Sequence, residues 1–489
     1  MKKFLEYLVT VVVVFANYSA RAEDGLEQHP LVRSNIELLD AWVESQLAYK
    51  GIPGMCVAIV HDQKVIYSRG FGYADIRAKR ETTPETLYRI ASHSKMFTAI
   101  AIMQLRDGGQ LRLDDPVDKY LPWFTLKGID KQSPPVTLRQ LMTHSSGIPR
   151  EGGNETYWTN FKFPTTDEII HHISNQTIVF PTEVKWKYSN LAYALLGEVV
   201  AVVSGKNFED YVTDNILKSL DMSHSGVTLS SINKKNLAKG YSRRLPDGTR
   251  LELPIIDAKG MDAATGMTSS VADMTRFVSW QFRLLNDGNT EVLKASTLRE
   301  MQRIHWLDPK WKNGFGLTFI NFKQKERVLI GHGGAYPGFL TSTFISPEEK
   351  LAVIVFSNSL DAQPNPGDPL SVTDRAFEWV GDAIAKAKEE PNPKCPKARY
   401  KNLTGTYRCI WSDWRVMELD GELVALNITH PQPKKTISAL EPLDNCSTLF
   451  QITEGDPFLT LGETVSFTIG KDGKARMMVV GSTEFLRVD

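Results

Sequence analysis

The sequence predicts a mixed α/β chain of the α+β type: an antiparallel sheet flanked by helices, followed by a small C-terminal all-β barrel. Turn-linked, β-branched strand pairs stand near residue 55 and again between residues 317 and 356. Helical patterns fill the interval between them. Short alternating strands alone occupy the last stretch, beyond a proline-rich break. With 489 residues, 42% hydrophobic and 23% charged, the chain has room for two or three domains, and wholesale disorder is excluded.

Residues 1–22 carry Lys2 and Lys3, an apolar stretch centred on Val11 to Phe15, and Ala20-Arg21-Ala22 before Glu23 and Asp24. That order reads as a cleavable signal peptide cut after Ala22, which places the mature protein in the periplasm or outside the cell. An uncleaved anchor is the alternative, and only the length of the apolar run separates the two. No run of ~18 apolar residues follows, so no membrane span is expected after cleavage. Lys and Arg number 57, Asp and Glu 57, and the pI is near 7.2, which leaves no basic field to hold a phosphate backbone. Nucleic acid is not an expected partner.

Met55 to Val60 and Val65 to Ser68 are apolar runs joined by His61, Asp62 and Gln63, which predicts a hairpin. After Ser92, the residues Met96, Ala99, Ile100, Met103 and Leu105 fall at helical spacing, and Asp107-Gly108-Gly109 supplies the stop. Helical runs also cover Thr166 to Ile173 and Leu191 to Val203. Leu317 to Phe322, Arg327 to Ile330, Phe339 to Ile345 and Leu351 to Phe356 predict further antiparallel pairs, and a helix over Thr373 to Lys388 closes the domain. The expected division is a domain over 23–388, a linker over 389–398 and a β-domain over 399–489. Six strands are expected in the last: Gly405 to Ile410, Arg415 to Leu419, Leu423 to Ile428, Leu449 to Thr453, Thr464 to Ile469 and Ala475 to Val480.

Three short motifs could carry chemistry. Ser92-His93-Ser94-Lys95 opens a helix, so Ser92 and Lys95 share a face and the helix N-terminus favours an alkoxide there. Tyr188-Ser189-Asn190 precedes a second helix and holds a phenol and an amide on a short turn. His332-Gly333-Gly334 follows an apolar strand, where glycines admit close backbone approach. Each is weak alone: Ser231-Ile232-Asn233-Lys234 and Tyr400-Lys401-Asn402 match the first two patterns, and the third taken alone reads more readily as a hairpin with a surface histidine.

Taken in this chain order, the motifs resemble those of the serine β-lactamase and penicillin-binding protein superfamily. The nearest branch is the class C-like one of D-Ala-D-Ala carboxypeptidases, D-aminopeptidases and esterases. Pro53-Gly54, Gly70 to Asp75, Leu141 to Pro149 and Gly266 to Ser270 add to the likeness, which covers residues 30 to 385. It implies a β-lactamase/transpeptidase-like fold with a mostly helical subdomain. It also implies Ser92 as nucleophile, Lys95 and Tyr188 as the groups sharing its proton, and Asn190 on the acyl side of the substrate. The oxyanion hole would be the backbone N–H groups of Ser92 and Ala335. Where the family commonly has Lys-Thr-Gly, this chain has His332, mostly neutral at pH 7, so the resemblance points to the family's peptidases and esterases. The segment Asn402 to Tyr407 resembles the opening of lipocalin-like appendages in some members.

No Gly-x-Ser-x-Gly elbow, His-Glu-x-x-His or P-loop pattern is present. His171 and His172 point about 100° apart on their helix, which favours a solvated face over a metal pair. No metal or cofactor is expected. Tyr157, Trp158, Phe161 and Phe163 could wall a cleft or pack inward. Cys56 reads as a buried thiol, and one disulfide is expected among Cys395, Cys409 and Cys446, with Cys409 to Cys446 slightly preferred. The expected activity is an exported serine hydrolase acting through an acyl-enzyme on amides or esters of small D-residue peptides. A class C-like β-lactamase and a non-catalytic penicillin-binding or sensor protein are the alternatives. The expected partner is a small-molecule or short-peptide substrate; the sequence assigns no oligomeric state and no role to the β-domain.

Overall fold

The structure is a computed structural model that describes residues 26–128, 134–153, 156–311, 313–368, 370–389, 400–443, 448–455 and 461–489. The expected signal peptide, most of the linker, Cys395 and Cys446 lie outside the described residues, and with them the expected disulfide. The chain divides into two compact units, Ile52–Asp374 on one side and residues up to Gly51 with Arg375–Asp489 on the other.

In the larger unit, nine strands make one antiparallel sheet: β1 (Gly54–His61), β2 (Lys64–Asp75), β3 (Arg80–Glu81), β4 (Trp306–Leu307), β5 (Asn313–Phe315), β6 (Ile320–Gln324), β7 (Arg327–Tyr336), β8 (Phe339–Ser346) and β9 (Leu351–Ser357). Their spatial order is β4-β5-β6-β7-β8-β9-β1-β2-β3, so the two predicted groups of strands meet where β1 pairs with β9. Every residue of β1 and of β9 is buried, which explains why both read as unbroken apolar runs rather than alternating ones. The first helix of the larger unit to pack here is Ser94–Asp107. Phe97 on that helix meets Phe277 of the helix Val271–Asp287 with ring centroids 4.9 Å apart, joining the two in one hydrophobic core with β1 and β9. Ser270 caps the second of these helices by accepting from the Asp273 N–H, and a third, Asn190–Ser204, is capped by Ser189 accepting from Ala192.

The smaller unit holds the helix Pro30–Lys50 and a closed barrel of eight strands in sequence order, β10 (Gly405–Arg408), β11 (Asp413–Leu419), β12 (Glu422–Asn427), β13 (Ser438–Pro442), β14 (Leu449–Glu454), β15 (Thr464–Ile469), β16 (Ala475–Val480) and β17 (Thr483–Arg487). Closure comes from β10 pairing with β17 through Tyr407 and Arg487. The barrel centre is filled by Tyr407, Phe450, Phe467, Met478 and Phe485, all buried. Two strands beyond the six expected, β13 and β17, complete the ring. Nor is the terminal helix continuous: a π-helical turn, Phe377–Gly381, interrupts it, and it buries Trp379 edge-on against Trp42, centroids 5.7 Å apart. The helix Pro30–Lys50 thus belongs to the compact unit of the barrel, not to that of the sheet.

Candidate active site

The strand Leu87–Arg89 pairs with Thr268–Ser270 and delivers the chain to Ile90, whose N–H donates to the Met267 carbonyl at 3.0 Å. Ala91 then turns with φ 50°, a left-handed conformation costing a residue with a Cβ about 1 kcal/mol or more. Ser94 holds the turn: its Oγ donates to the Ala91 carbonyl at 2.7 Å and accepts from Met267 N–H at 3.0 Å. Ala91–His93 form a single 3₁₀ turn that runs into the helix Ser94–Asp107. Ser92 is thereby left partly open at a helix N-terminus, and Lys95 is fully buried one turn below it.

Lys95 Nζ lies 2.8 Å from Asn190 Oδ1, 2.8 Å from the Ala264 carbonyl and 3.4 Å from Ser92 Oγ. Burial drives the proton affinity of Lys95 well below that of an ordinary lysine. A neutral amine has two N–H bonds and one lone pair. In its neutral form, with the two N–H bonds spent on the two short acceptors, the amine turns its lone pair toward Ser92. From the other side Tyr188 donates its phenol hydrogen to Ser92 Oγ at 2.7 Å, and burial raises the phenol well above its usual range, so it stays protonated. The Tyr188 ring is clamped by Lys95 Nζ, 4.8 Å from its centroid, and by the His144 ring at 4.4 Å. His144 Nδ1 accepts from the Ser189 N–H, and burial keeps this imidazole neutral.

Strand β7 forms the opposite wall. An added Cβ at Gly334 would lie 2.3 Å from the Ile90 backbone carbonyl, so that glycine is demanded by close approach, whereas one at Gly333 would meet the end of the Asn365 side chain at 2.1 Å. Thr341 Oγ1, on the neighbouring strand β8, reaches the Ile90 carbonyl and His93 Nδ1 and fastens sheet to turn. His332 is 3% exposed, and burial followed by the charge of Lys95 lowers its pKa to about 4. Its Nδ1 donates to the Gly333 carbonyl, which leaves Nε2 of the neutral ring an acceptor. Ala335, next but one after Gly333 and paired with Leu340, is exposed.

Ser92, Lys95, Tyr188 and Asn190 therefore converge, with the His332 ring 6.5 Å from that of Tyr188. The two look-alike motifs do not join them: Ser231 sits in an exposed turn with Thr228, and Tyr400 is in the barrel core. Of the aromatic cluster, Tyr157 and Phe163 pack inward, Phe163 stacking on Tyr336 at 5.7 Å. Sequence reasoning missed Glu151. Its carboxylate accepts from Asn190 Nδ2 at 2.8 Å, from the Tyr157 hydroxyl at 2.5 Å and from Arg150 Nε at 3.0 Å. An Arg-Glu pair in a loop has no local signature; its only hint was adjacency to the Leu141 to Pro149 segment.

A family model described as Beta-lactamase matches residues 39–376. The chain belongs to the β-lactamase family. The family includes serine hydrolases, and some relatives are non-catalytic. Protein flp of Staphylococcus aureus is 26% identical over 335 residues, which are 67% of this chain and 64% of that protein. Penicillin-binding protein 4* of Bacillus subtilis is 27% identical over 307 residues, 60% of this chain and 65% of the relative. The chain thus spans just under two thirds of the length of these relatives. Among solved structures, the octameric penicillin-binding protein homologue from Pyrococcus abyssi superposes with TM-score 0.64 at 24% identity, over 92% of this chain and 100% of that one. The D-stereospecific amidohydrolase from a Streptomyces species superposes with TM-score 0.56 at 21% identity, over 73% and 99%. Both likenesses concern the fold.

Proposed function

We propose that this member of the β-lactamase family is an exported serine hydrolase that cleaves amides or esters of small, D-residue-containing substrates through an acyl-enzyme on Ser92. The observation that carries the reading is the position of Ser92 Oγ between a proton donor and a base: the Tyr188 hydroxyl at 2.7 Å and the buried Lys95 amine at 3.4 Å.

In this mechanism Oγ attacks the substrate carbonyl carbon and its proton passes to the lone pair of Lys95. The oxyanion that forms is held by the backbone N–H groups of Ser92 and Ala335. Collapse breaks the C–N or C–O bond, and the leaving group takes a proton from the Lys95–Tyr188 pair. Water then attacks the acyl-enzyme along the same path in reverse and regenerates Ser92. Asn190 bonds the acyl portion of the substrate. A neutral His332 offers no cation to a substrate carboxylate, which favours amides and esters over β-lactams or peptides with a free C-terminal carboxylate. The D-stereospecific amidohydrolase that shares this fold makes D-amino acid amides the first substrates to try. Export rests on the pattern of residues 1–22.

The test is turnover of D- and L-alanyl p-nitroanilides, p-nitrophenyl esters and a chromogenic cephalosporin by the protein and by Ser92→Ala. Turnover of a D-amide or an ester that Ser92→Ala abolishes is the expected result. Faster turnover of the cephalosporin would replace this reading with a β-lactamase, and undiminished activity in Ser92→Ala would refute both.

A further inference from the structure

We propose that Glu151 is a positioning residue of this site: its carboxylate fixes the amide of Asn190 with Oδ1 toward Lys95, and its negative charge sets how readily Lys95 takes the proton of Ser92. This rests on the acyl-enzyme reading above and adds to it a residue that neither the motifs nor the comparisons assign.

Orientation follows from what each group can do. An ionised carboxylate only accepts hydrogen bonds, so the Asn190 atom 2.8 Å from Glu151 Oε1 is the donor Nδ2. The other end of the amide, Oδ1, is then the acceptor 2.8 Å from Lys95 Nζ. Glu151 is itself held in place, by the Tyr157 hydroxyl on Oε2 and by Arg150 Nε on Oε1. Backbone bonds fasten its segment to the same helix start, because the Arg150 carbonyl accepts from the N–H groups of Asn190 and Leu191. The path from carboxylate to amine is thus two hydrogen bonds through one side chain.

The charges facing Lys95 have opposed effects. Glu151 favours its ammonium form, and Arg150 opposes it. His144 and His332, both held neutral by burial, and the rings of Tyr188 and Tyr193 complete its surroundings. Lys95 must be neutral to accept a proton, so the rate rises as pH climbs through its titration. Removing the Glu151 charge destabilises the ammonium, and this acid limb moves to lower pH.

The experiment follows the rate at which a fluorophosphonate probe labels Ser92, read by intact mass across pH, in the protein and in Glu151→Gln, Glu151→Asp and Tyr157→Phe. Glu151→Gln should shift the acid limb to lower pH and cut the plateau rate about ten-fold through loss of amide orientation. Glu151→Asp, which keeps the charge, should leave the limb near its original position. Tyr157→Phe strips a donor from the carboxylate and leaves more charge facing Lys95, so its limb should move to higher pH; this arm decides the matter if Glu151→Gln does not fold. An acid limb unmoved in Glu151→Gln, or in Tyr157→Phe where only that variant folds, overturns the proposal and leaves a purely structural Glu151. Failure of the unmodified protein to label at Ser92 would instead defeat the acyl-enzyme reading, and this proposal with it.

Discussion

The carbonyl oxygen of Ile90 lies where a side chain on Gly334 would have to begin: a Cβ there would be 2.3 Å away. Strand β7 therefore touches the turn that carries Ser92, and that approach depends on the absence of a methyl group at Gly334.

Gly334→Ala tests this contact. The methyl group must push β7 and the Ser92 turn apart, and Thr341 Oγ1, also 2.3 Å from the place the new Cβ would take, blocks its other way out. A displacement of the reacting groups on the order of 1 Å costs about a hundred-fold in rate. The expected outcome is at least that loss in kcat/KM with a lowered Tm, measured by steady-state kinetics and thermal denaturation.

Tyr188→Phe removes the donor 2.7 Å from Ser92 Oγ but keeps the ring against His144 and Lys95. Because the phenol belongs to proton transfer, kcat should fall by roughly 10²–10⁴-fold. KM and Tm should stay near those of the unsubstituted protein. A comparable rise in KM with kcat intact would mark Tyr188 as a binding residue instead.

Asp262 supplies a prediction about stability. Burial raises its pKa to about 8, opposed by Arg89 and reinforced by Asp257 and Glu209, and its Oδ1 has no hydrogen-bond partner. A carboxyl whose folded pKa exceeds its unfolded value stabilises fully below the unfolded pKa, near 3.8 here, and that contribution is lost as pH rises toward about 8. Asp262→Asn should therefore raise Tm at alkaline pH, by roughly 1–2 °C for each kcal/mol recovered, with the advantage vanishing in acid. Thermal denaturation at the two extremes of pH checks it.

Much of this was legible in the chain because the signals were local. β1 and β9 read as strands because both faces are buried, and the helix Thr166–Ile173 read correctly because its two buried isoleucines, Ile169 and Ile173, fall one turn apart. Strand β7 was expected to end at Ile330, but it runs on to Tyr336, since pairing with β8 from Ile330 to Tyr336 carries the glycines that would weaken it alone. Ser438–Pro442 and Thr483–Arg487 went unread because a proline ends the first and the second buries only Phe485; only ring closure makes them strands. The four residues Ser92, Lys95, Tyr188 and Asn190 could be named from their order along the chain. Glu151 could not, because what sets it apart from a solvated acid is a contact with Asn190 across 39 residues.

The most direct test of the central claim is intact-protein mass spectrometry after exposure to a fluorophosphonate probe, with peptide mapping of the adduct. The account predicts a single adduct on Ser92, absent from Ser92→Ala and slowed in Lys95→Ala. No adduct on the unsubstituted protein, or one that persists in Ser92→Ala, would contradict it.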